Sequence, residues 1–279
     1  MDNIITQEHI DRYCLSLLAD ERSAGTISKY RHDLTAFAHW LDGRAVTKET
    51  AAGWKNYLSH CGYAPRTINS MLAAVNGFCR FMAWHIKVKF LKIQRQIFRD
   101  SSRELTKEEY DRLLAAARES GQERLALIME TLCATGIRIS ELRYITVEAA
   151  LAGRATITLK GKIRTILLPA KLCRKLVKYA RKQKTASGEI FLTKSGRPIT
   201  RRQVWFELKR LCKAAGVEPT KVFPHNLRHL FAPPFYRASR DIVRLADMLG
   251  HSSIDTTRIY LMVSGAEQQR QLDRLGLVS

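Results

Sequence analysis

The stretch Ala155-Thr-Ile-Thr-Leu-Lys-Gly-Lys-Ile-Arg-Thr-Ile-Leu-Leu168 decides the fold class, because its side chains alternate between apolar and polar on either side of a glycine. This period of two predicts a β-hairpin with Gly161-Lys162 as its two-residue turn. The segments on both sides repeat their apolar residues every three or four positions, which is typical of helices. The sequence therefore predicts a mainly α protein with one small antiparallel β-sheet.

Helical patterns fill the first hundred residues. One runs from Thr26 to Leu41 and is followed by Gly43, a residue that commonly ends helices. A second begins at Pro65, which suits the first position of a helix because proline has no backbone N–H to lose there. We expect the apolar faces of both helices to form a core, which leaves their polar faces for function.

A basic segment separates these helices from the rest of the chain. Residues 87–99 carry five Lys or Arg side chains and no acidic one. Shortly afterwards Thr106 and Glu109 stand at capping-box spacing, which predicts a new helix start. The predicted units are an N-terminal helical domain over residues 1–86, a basic linker over residues 87–103, and a mixed α/β domain with a C-terminal tail over residues 104–279.

Charge indicates the kind of partner. The 279 residues include 47 Lys plus Arg and 26 Asp plus Glu, a net charge of +21, and residues 154–213 alone hold 18 basic and two acidic side chains. Such one-sided charge favours a polyanion, and nucleic acid fits better than a membrane because the segment is not one basic amphipathic helix. No apolar run is long enough to span a bilayer, so we expect a cytoplasmic protein without a membrane partner.

Six cysteines are scattered along the chain, and none forms a C-x-x-C pair. No histidine stands at metal-ligand spacing from any of them. We therefore expect free thiols in a reducing compartment, no metal site and no cofactor.

A set of polar residues at expected helix ends and turns suits chemistry at a phosphodiester. Guanidinium groups can hold the non-bridging oxygens and stabilise charge in the transition state. A tyrosine can serve as nucleophile, a histidine as base and a lysine as acid. The candidate catalytic residues are Arg138, Lys160, His225, Arg228, His251 and Tyr260.

The order and spacing of these residues resemble those of one known family. Ala134-Thr-Gly-Ile-Arg-Ile-Ser-Glu-Leu142 resembles the first arginine box of the tyrosine recombinases, or phage-type integrases, and His225-Asn-Leu-Arg-His229 resembles their H-x-x-R box. Leu249-Gly-His-Ser-Ser253, followed by Thr257-Arg-Ile-Tyr260, resembles their His and Tyr box. The resemblance covers nearly the whole chain. It implies a helical core-binding, SAM-like domain and a mixed catalytic domain that together form a C-shaped clamp on DNA.

The resemblance also implies a reaction, which is site-specific recombination without metal or ATP. Arg138 and Arg228 would hold the scissile phosphate while Tyr260 attacks it, leaving a 3′-phosphotyrosyl link and a free 5′-hydroxyl. His225 would assist removal of the tyrosine proton. Integrases of bacterial mobile elements and Xer-type recombinases are the members that the chain resembles most.

The remaining roles implied by the resemblance concern supporting groups and the general acid. His251 would hydrogen-bond the phosphate, and Glu141 would orient Arg138. The turn is one residue shorter than the family's usual Lys-Gly-x-Lys, so alignment from the incoming strand selects Lys160 and alignment from the returning strand selects Lys162. We favour Lys160, because a position fixed by the strand ladder places a general acid better than a mobile tip does.

DNA contacts and assembly follow from charge and from the resemblance together. The partners implied are duplex DNA, a homotetramer on paired recombination sites, and an accessory DNA-bending protein or directionality factor. The tail over residues 261–279 has leucines available to dock on a neighbouring protomer or on its own domain. The candidate DNA-binding residues are Lys87, Lys89, Lys92, Arg95, Arg164, Arg201 and Arg202.

Two other functions compete with recombination. A type IB topoisomerase would use nearly the same residues to relax DNA without a partner site. A DNA-binding regulator without chemistry becomes the alternative if Pro233-Pro234 misaligns Arg228. Those prolines fall about two turns into the helix expected from His225, where each costs roughly 3 kcal/mol. We expect that helix either to break after Phe231 or to kink.

Overall fold

The protein is described here by a computed structural model that covers residues 3–94, 101–159, 162–262 and 265–276. The chain divides into two compact units, Met1–Arg95 and Gln96–Ser279. In the part of the chain that is described, no helix is long and apolar enough to cross a membrane. The expected fold class, mainly α with a small antiparallel sheet, is confirmed.

The described residues of the first unit form four helices, which are α1 (Gln7–Ala19), α2 (Ala24–Leu41), α3 (Lys48–His60) and α4 (Pro65–Phe81). The hydroxyls of Thr6, Ser23 and Thr47 cap the first three, and Pro65 opens the fourth, as its ring geometry favours. The apolar stripes predicted from the sequence meet in the core. Phe37 of α2 and Phe78 of α4, for example, are fully buried.

The chain that follows α4 runs back along that helix and is held there by two asparagines. The Asn76 amide exchanges two hydrogen bonds with the backbone of Val88, at 3.0 and 2.9 Å. Two turns earlier on α4, the Asn69 amide forms the same two hydrogen bonds with the backbone of Leu91, at 2.9 and 2.8 Å. The first part of the predicted basic linker is thus fastened to the N-terminal unit, and we call residues 87–92 the strap.

The first α-helix described in the second unit begins at the capping box predicted from the sequence. The Thr106 hydroxyl accepts the Glu109 N–H at 3.2 Å, and the Glu109 carboxylate accepts the Thr106 N–H at 2.9 Å. Ten helices of this unit lie in the described residues: α5 (Lys107–Glu119), α6 (Glu123–Thr135), α7 (Val147–Ala152), α8 (Ala170–Lys182), α9 (Arg201–Ala215), α10 (Pro224–His229), α11 (Ala232–Ser239), α12 (Ile242–Leu249), α13 (Ile254–Arg258) and α14 (Gly265–Asp273).

The hairpin is present, but its register differs from the expected one. Strand β1 (Arg154–Leu159) pairs with β2 (Lys162–Leu167), and Leu159 lies opposite Lys162. The expectation of a Gly161-Lys162 turn is therefore wrong, because Lys162 belongs to the ladder. The observed register carries the pairing to the start of β1, where the Leu168 N–H donates to the Gly153 carbonyl at 2.9 Å.

The two adjacent prolines break the helix rather than kink it. Helix α10 ends at His229, and α11 starts at Ala232 with Pro233 and Pro234 in its first turn. In the first turn the backbone N–H groups have no helical acceptor, so the prolines remove no helical bond there. The break leaves the H-x-x-R box intact on α10.

Candidate active site

The end of α6, helix α10 and the segment after α12 bring five of the six candidate catalytic residues into one cluster. Arg138 lies just after α6 and before a 3-10 turn (Ile139–Tyr144), which positions Glu141 beside it. Helix α10 carries His225 and Arg228 one turn apart. The last two members, His251 and Tyr260, flank α13.

Neither candidate general acid can be positioned relative to this cluster. Lys160 lies outside the described residues, and Lys162 is described only by its backbone in β2. The reason that favoured Lys160 was its place in the strand ladder. The ladder instead contains Lys162, so that reason is wrong, and both lysines stay candidates.

Arg138 is fixed by a buried carboxylate. The Arg138 N–H donates to Glu141 Oε2 at 2.7 Å, and its Nη1 lies 3.2 Å from Glu141 Oε1. The Glu141 side chain is only 2% exposed, whereas that of Arg138 is 41% exposed. Glu141 thus orients a guanidinium that remains open to solvent.

Arg228 is almost fully buried and not fully bonded. Its Nη2 donates to the Leu249 carbonyl at 2.6 Å and lies 2.8 Å from His251 Nε2. Its Nη1 is buried without a hydrogen-bond partner among the described residues. Burial lowers the pKa of Arg228. A buried cation with a spare donor is costly unless an anion completes it, which suits a phosphate.

His251 is a neutral imidazole in this arrangement. Because arginine can only donate, His251 Nε2 must accept from Arg228, so the ring proton sits on Nδ1 and faces the Thr257 hydroxyl at 2.8 Å. Burial, followed by the neighbouring arginine cations, lowers the pKa of His251 from 6.5 to about 4. His251 therefore supports Arg228 in this structure, and its expected hydrogen bond to the phosphate stays a prediction.

Tyr260 is packed against three imidazoles and is only 2% exposed. Its ring centroid lies 4.3 Å from that of His229, 5.8 Å from that of His251 and 6.3 Å from that of His225. Burial lowers the pKa of His225, and the nearby arginine cations lower it further. A neutral His225 can accept a proton at neutral pH.

An open cleft of about 440 Å³ borders the cluster. Arg138, His225 and Arg228 line it, together with Arg201 and the half-exposed Trp205 of α9. The cleft is thus rich in cationic donors and has an aromatic wall, which suits a phosphodiester and its neighbouring bases.

The candidate DNA-binding residues have different surroundings. Arg164 has no exposed guanidinium to offer DNA, because it pairs with the buried Glu141. Arg95 lies outside the described residues. The other five side chains are exposed, and they are Lys87, Lys89 and Lys92 on the strap, and Arg201 and Arg202 at the start of α9.

Two groups at the site were not among the residues selected from the sequence. His229 stands nearer to Tyr260 than His225 does, and the two histidine rings lie 4.7 Å apart. Their spacing of four residues on one helix could have revealed that pairing. Thr257, whose hydroxyl faces His251 Nδ1, has no such signal, because a threonine on a short helix is ordinary.

Comparisons with known proteins agree with this fold. The phage integrase family matches residues 103–267, and the N-terminal SAM-like domain of phage integrases matches residues 10–85. The tyrosine recombinase XerC of Roseiflexus castenholzii is 32% identical over an alignment of 269 positions, which covers 87% of this chain and 85% of that protein. XerA of Pyrococcus furiosus is 27% identical over an alignment of 285 positions, which covers 99% of this chain and 97% of that protein.

Solved structures share the fold at lower identity. XerH bound to its difH substrate aligns with a TM-score of 0.70 at 19% identity, covering 98% of this chain and 85% of that one. A lambda integrase tetramer bound to a Holliday junction aligns with a TM-score of 0.73 at 20% identity, covering 93% and 78%. The chain belongs to the phage integrase family. Within it, the chain is an enzyme of the tyrosine recombinase class.

Proposed function

We propose that this recombinase cleaves and rejoins duplex DNA at specific sites through a covalent 3′-phosphotyrosine intermediate. The Tyr260 hydroxyl oxygen attacks the scissile phosphorus, an O–P bond forms, and the bond from phosphorus to the 5′-oxygen breaks. The tyrosine proton passes to His225, and the 5′-oxygen takes a proton from Lys160 or Lys162. Attack by a 5′-hydroxyl of another strand reverses these steps and seals the exchanged strand.

The observation that carries this proposal is the pairing of Arg138 with Arg228 at one cleft. Arg228 keeps a buried, unbonded Nη1, and Arg138 keeps an exposed guanidinium beside it in the same cleft. Two guanidiniums can neutralise the charge that builds on the phosphate oxygens during attack. The phosphotyrosyl ester conserves the energy of the broken phosphodiester, so the scheme needs neither a metal ion nor ATP.

The proposed partners are duplex DNA and further copies of this chain. Related enzymes are described as bound to difH DNA and as a tetramer on a Holliday junction. The exposed strap lysines and the start of α9 supply cations for DNA phosphates. Leu272 in the last turn of α14 and Leu275 just after that helix are 54% and 59% exposed, which favours docking of the tail on a neighbouring protomer over its own domain.

A suicide substrate tests the proposal. Duplexes are drawn from a nicked random-sequence pool, so that the released fragment diffuses away and traps any covalent adduct. We expect an adduct with the wild-type protein and none with Tyr260→Phe, which keeps the ring and removes the nucleophile. An adduct that persists in Tyr260→Phe contradicts the assignment of the nucleophile. Tight DNA binding without any adduct supports the regulator alternative.

A further inference from the structure

Arg164 is enclosed by protein on both sides of its guanidinium. Its Nη2 lies 2.8 Å from Glu141 Oε2, and its Nη1 donates to the Met248 carbonyl. Its side chain is 16% exposed, and the carboxylate that it meets is 2% exposed. Burial lowers the pKa of Arg164, whereas Glu141 opposes that shift. A charge held in this way has little left to offer DNA.

The C-terminus of α12 is completed by three arginines. The carbonyls of Ala246 and Asp247 accept hydrogen bonds from the backbone N–H groups that follow the helix. The next three carbonyls each accept from a different guanidinium: Met248 from Arg164, Leu249 from Arg228 and Gly250 from Arg138. Carbonyls at a helix C-terminus have no partner within the helix and carry partial negative charge, so cations stabilise them.

Glu141 closes this arrangement from the other side. One of its oxygens meets Nη1 of Arg138, and the other meets both Nη2 of Arg164 and the Arg138 N–H. Gly250 packs directly on Arg164, since a Cβ at that position would stand 2.7 Å from the guanidinium carbon. The hairpin, the first arginine box and the end of α12 therefore meet at one guanidinium.

We propose that Arg164 is a positioning residue, which ties the Glu141–Arg138 pair to the end of α12 and so fixes Arg138 relative to Arg228. It acts on the phosphate only through those groups. This inference rests on the proposed function for its meaning in catalysis, but the structural link that it describes can be tested without DNA.

Kinetics separate positioning from DNA contact. We expect Arg164→Met to lower the single-turnover cleavage rate by about 10²-fold while DNA affinity changes by less than about twofold, as for a lost transition-state contact. The cleavage rate of Arg164→Lys should lie between those of the wild-type protein and Arg164→Met, because an ammonium cannot hold Glu141 and Met248 with a planar fork. A loss of affinity and salt dependence with an unchanged cleavage rate would show instead that Arg164 contacts DNA.

The matched control is another arginine that caps a helix end. Arg112 donates to the carbonyls of Ala215 and Gly216 at the C-terminus of α9, at 3.2 and 3.4 Å, away from the cleft. We expect Arg112→Met to leave the cleavage rate unchanged. Equal slowing by Arg112→Met and Arg164→Met would reduce the role of Arg164 to general stability and overturn the proposal.

A double variant and a neutral substrate test whether Arg164 acts through Arg138. If it does, Arg164→Met should add little to the loss caused by Arg138→Met, because contacts in one network are not additive. A methylphosphonate at the scissile position carries less charge for guanidiniums to neutralise, so the defect of Arg164→Met should shrink on it. Fully additive losses, with equal slowing on both substrates, would contradict the link.

Hydrogen exchange tests the structural link alone. The His251 N–H bonds the Ala246 carbonyl at 2.9 Å, and it should exchange about tenfold faster in Arg164→Met than in Arg112→Met. Unchanged exchange at His251 overturns the inference whether or not the protein cleaves DNA. Faster exchange in a protein that forms no DNA adduct would keep the link and reject the proposed function.

Discussion

Arg228 and Arg138 differ in burial although both are arginines of the same cluster. The first is 2% exposed with one unbonded nitrogen, and the side chain of the second is 41% exposed. An unbonded buried donor costs on the order of 1–3 kcal/mol. Such a cost is typical of a site that a ligand completes, and for a guanidinium that ligand is an anion.

The state of His251 predicts how stability depends on pH. Its pKa in the folded protein is about 4, below its ordinary 6.5, so between these values the unfolded chain binds a proton that the folded chain resists. The free energy of unfolding should therefore decrease as the pH falls from about 6.5 to about 4. Urea denaturation at several pH values across that range measures the slope.

The control for this pH dependence is His251→Gln. His225, whose pKa is also lowered, contributes a slope of the same sign, so the variant should show a shallower slope rather than none. An identical slope in both proteins between pH 6.5 and 5 would contradict the burial of a neutral His251.

At the residue scale, sequence motifs predicted which side chains gather but not the backbone groups that hold them. Arg138, Arg228 and Tyr260 followed from motif order and spacing. The three carbonyls that end α12 could not be predicted, because backbone acceptors are present at every residue and only the fold selects them. For the same reason Arg164 looked like any other cation of a basic segment.

At the scale of elements, the end of α12 predicts a strong effect of one methyl group. Gly250 has φ +62°, and an added Cβ would lie 2.7 Å from Arg164. Gly153 has φ +69° with open space around it, so Gly153→Ala should cost only the backbone strain of about 1–2 kcal/mol. We expect Gly250→Ala to lower the melting temperature clearly more than Gly153→Ala does. Equal decreases in melting temperature would mean that Arg164 moves aside for the added methyl group without cost.

The strap predicts a second effect on stability. Asn69→Ala and Asn76→Ala each remove two hydrogen bonds to the backbone of the strap. Each should lower the free energy of unfolding by about 1–3 kcal/mol, because partly buried backbone groups lose their partners. Asn56→Ala on α3, where the side chain is exposed, is the control. Urea denaturation that shows no difference between these variants and the control would contradict a fastened strap.

Local rules predicted the elements well and their junctions less well. The capping box at Thr106 and the break near Pro233 follow from hydrogen bonding within a few residues, which a sequence displays. The register of the hairpin does not follow from such local rules, because a glycine-containing turn is compatible with more than one pairing of Ile157. In the observed register Ile157 lies opposite Arg164. The tertiary contacts of Arg164 favour this register, and a sequence does not display tertiary contacts.

At the scale of the whole molecule, a net charge of +21 predicts strong dependence of DNA binding on salt. Each phosphate contact should contribute about −0.9 to the slope of log K against log salt concentration. Changing Lys87, Lys89 and Lys92 together to Gln should make that slope shallower by up to about 3. Lys107→Gln, at an exposed residue already paired with Asp111, is the control. Equal slopes in the triple variant and the wild-type protein would show that the strap lysines do not contact DNA phosphates.

Composition alone indicated a polyanion partner. The cationic donors at the cleft suit one group of such a partner, the phosphodiester. The basic residues 154–213 span the hairpin and the start of α9, the elements that bring Arg164 and Arg201 to the cluster. Charge predicts the class of partner because it acts at long range. The chemistry depends on hydrogen bonds of about 3 Å, which only the folded chain displays.

The central claim is that Tyr260 forms a covalent bond with DNA, and mapping the adduct tests it most directly. Wild-type protein trapped on the nicked duplex pool is digested with trypsin and nuclease, and the modified peptide is sequenced by mass spectrometry. We expect a nucleotide remnant on the tyrosine of the peptide Ile259–Arg270. A remnant on any other residue, or a protein that binds the duplex and never becomes linked to it, would contradict the account.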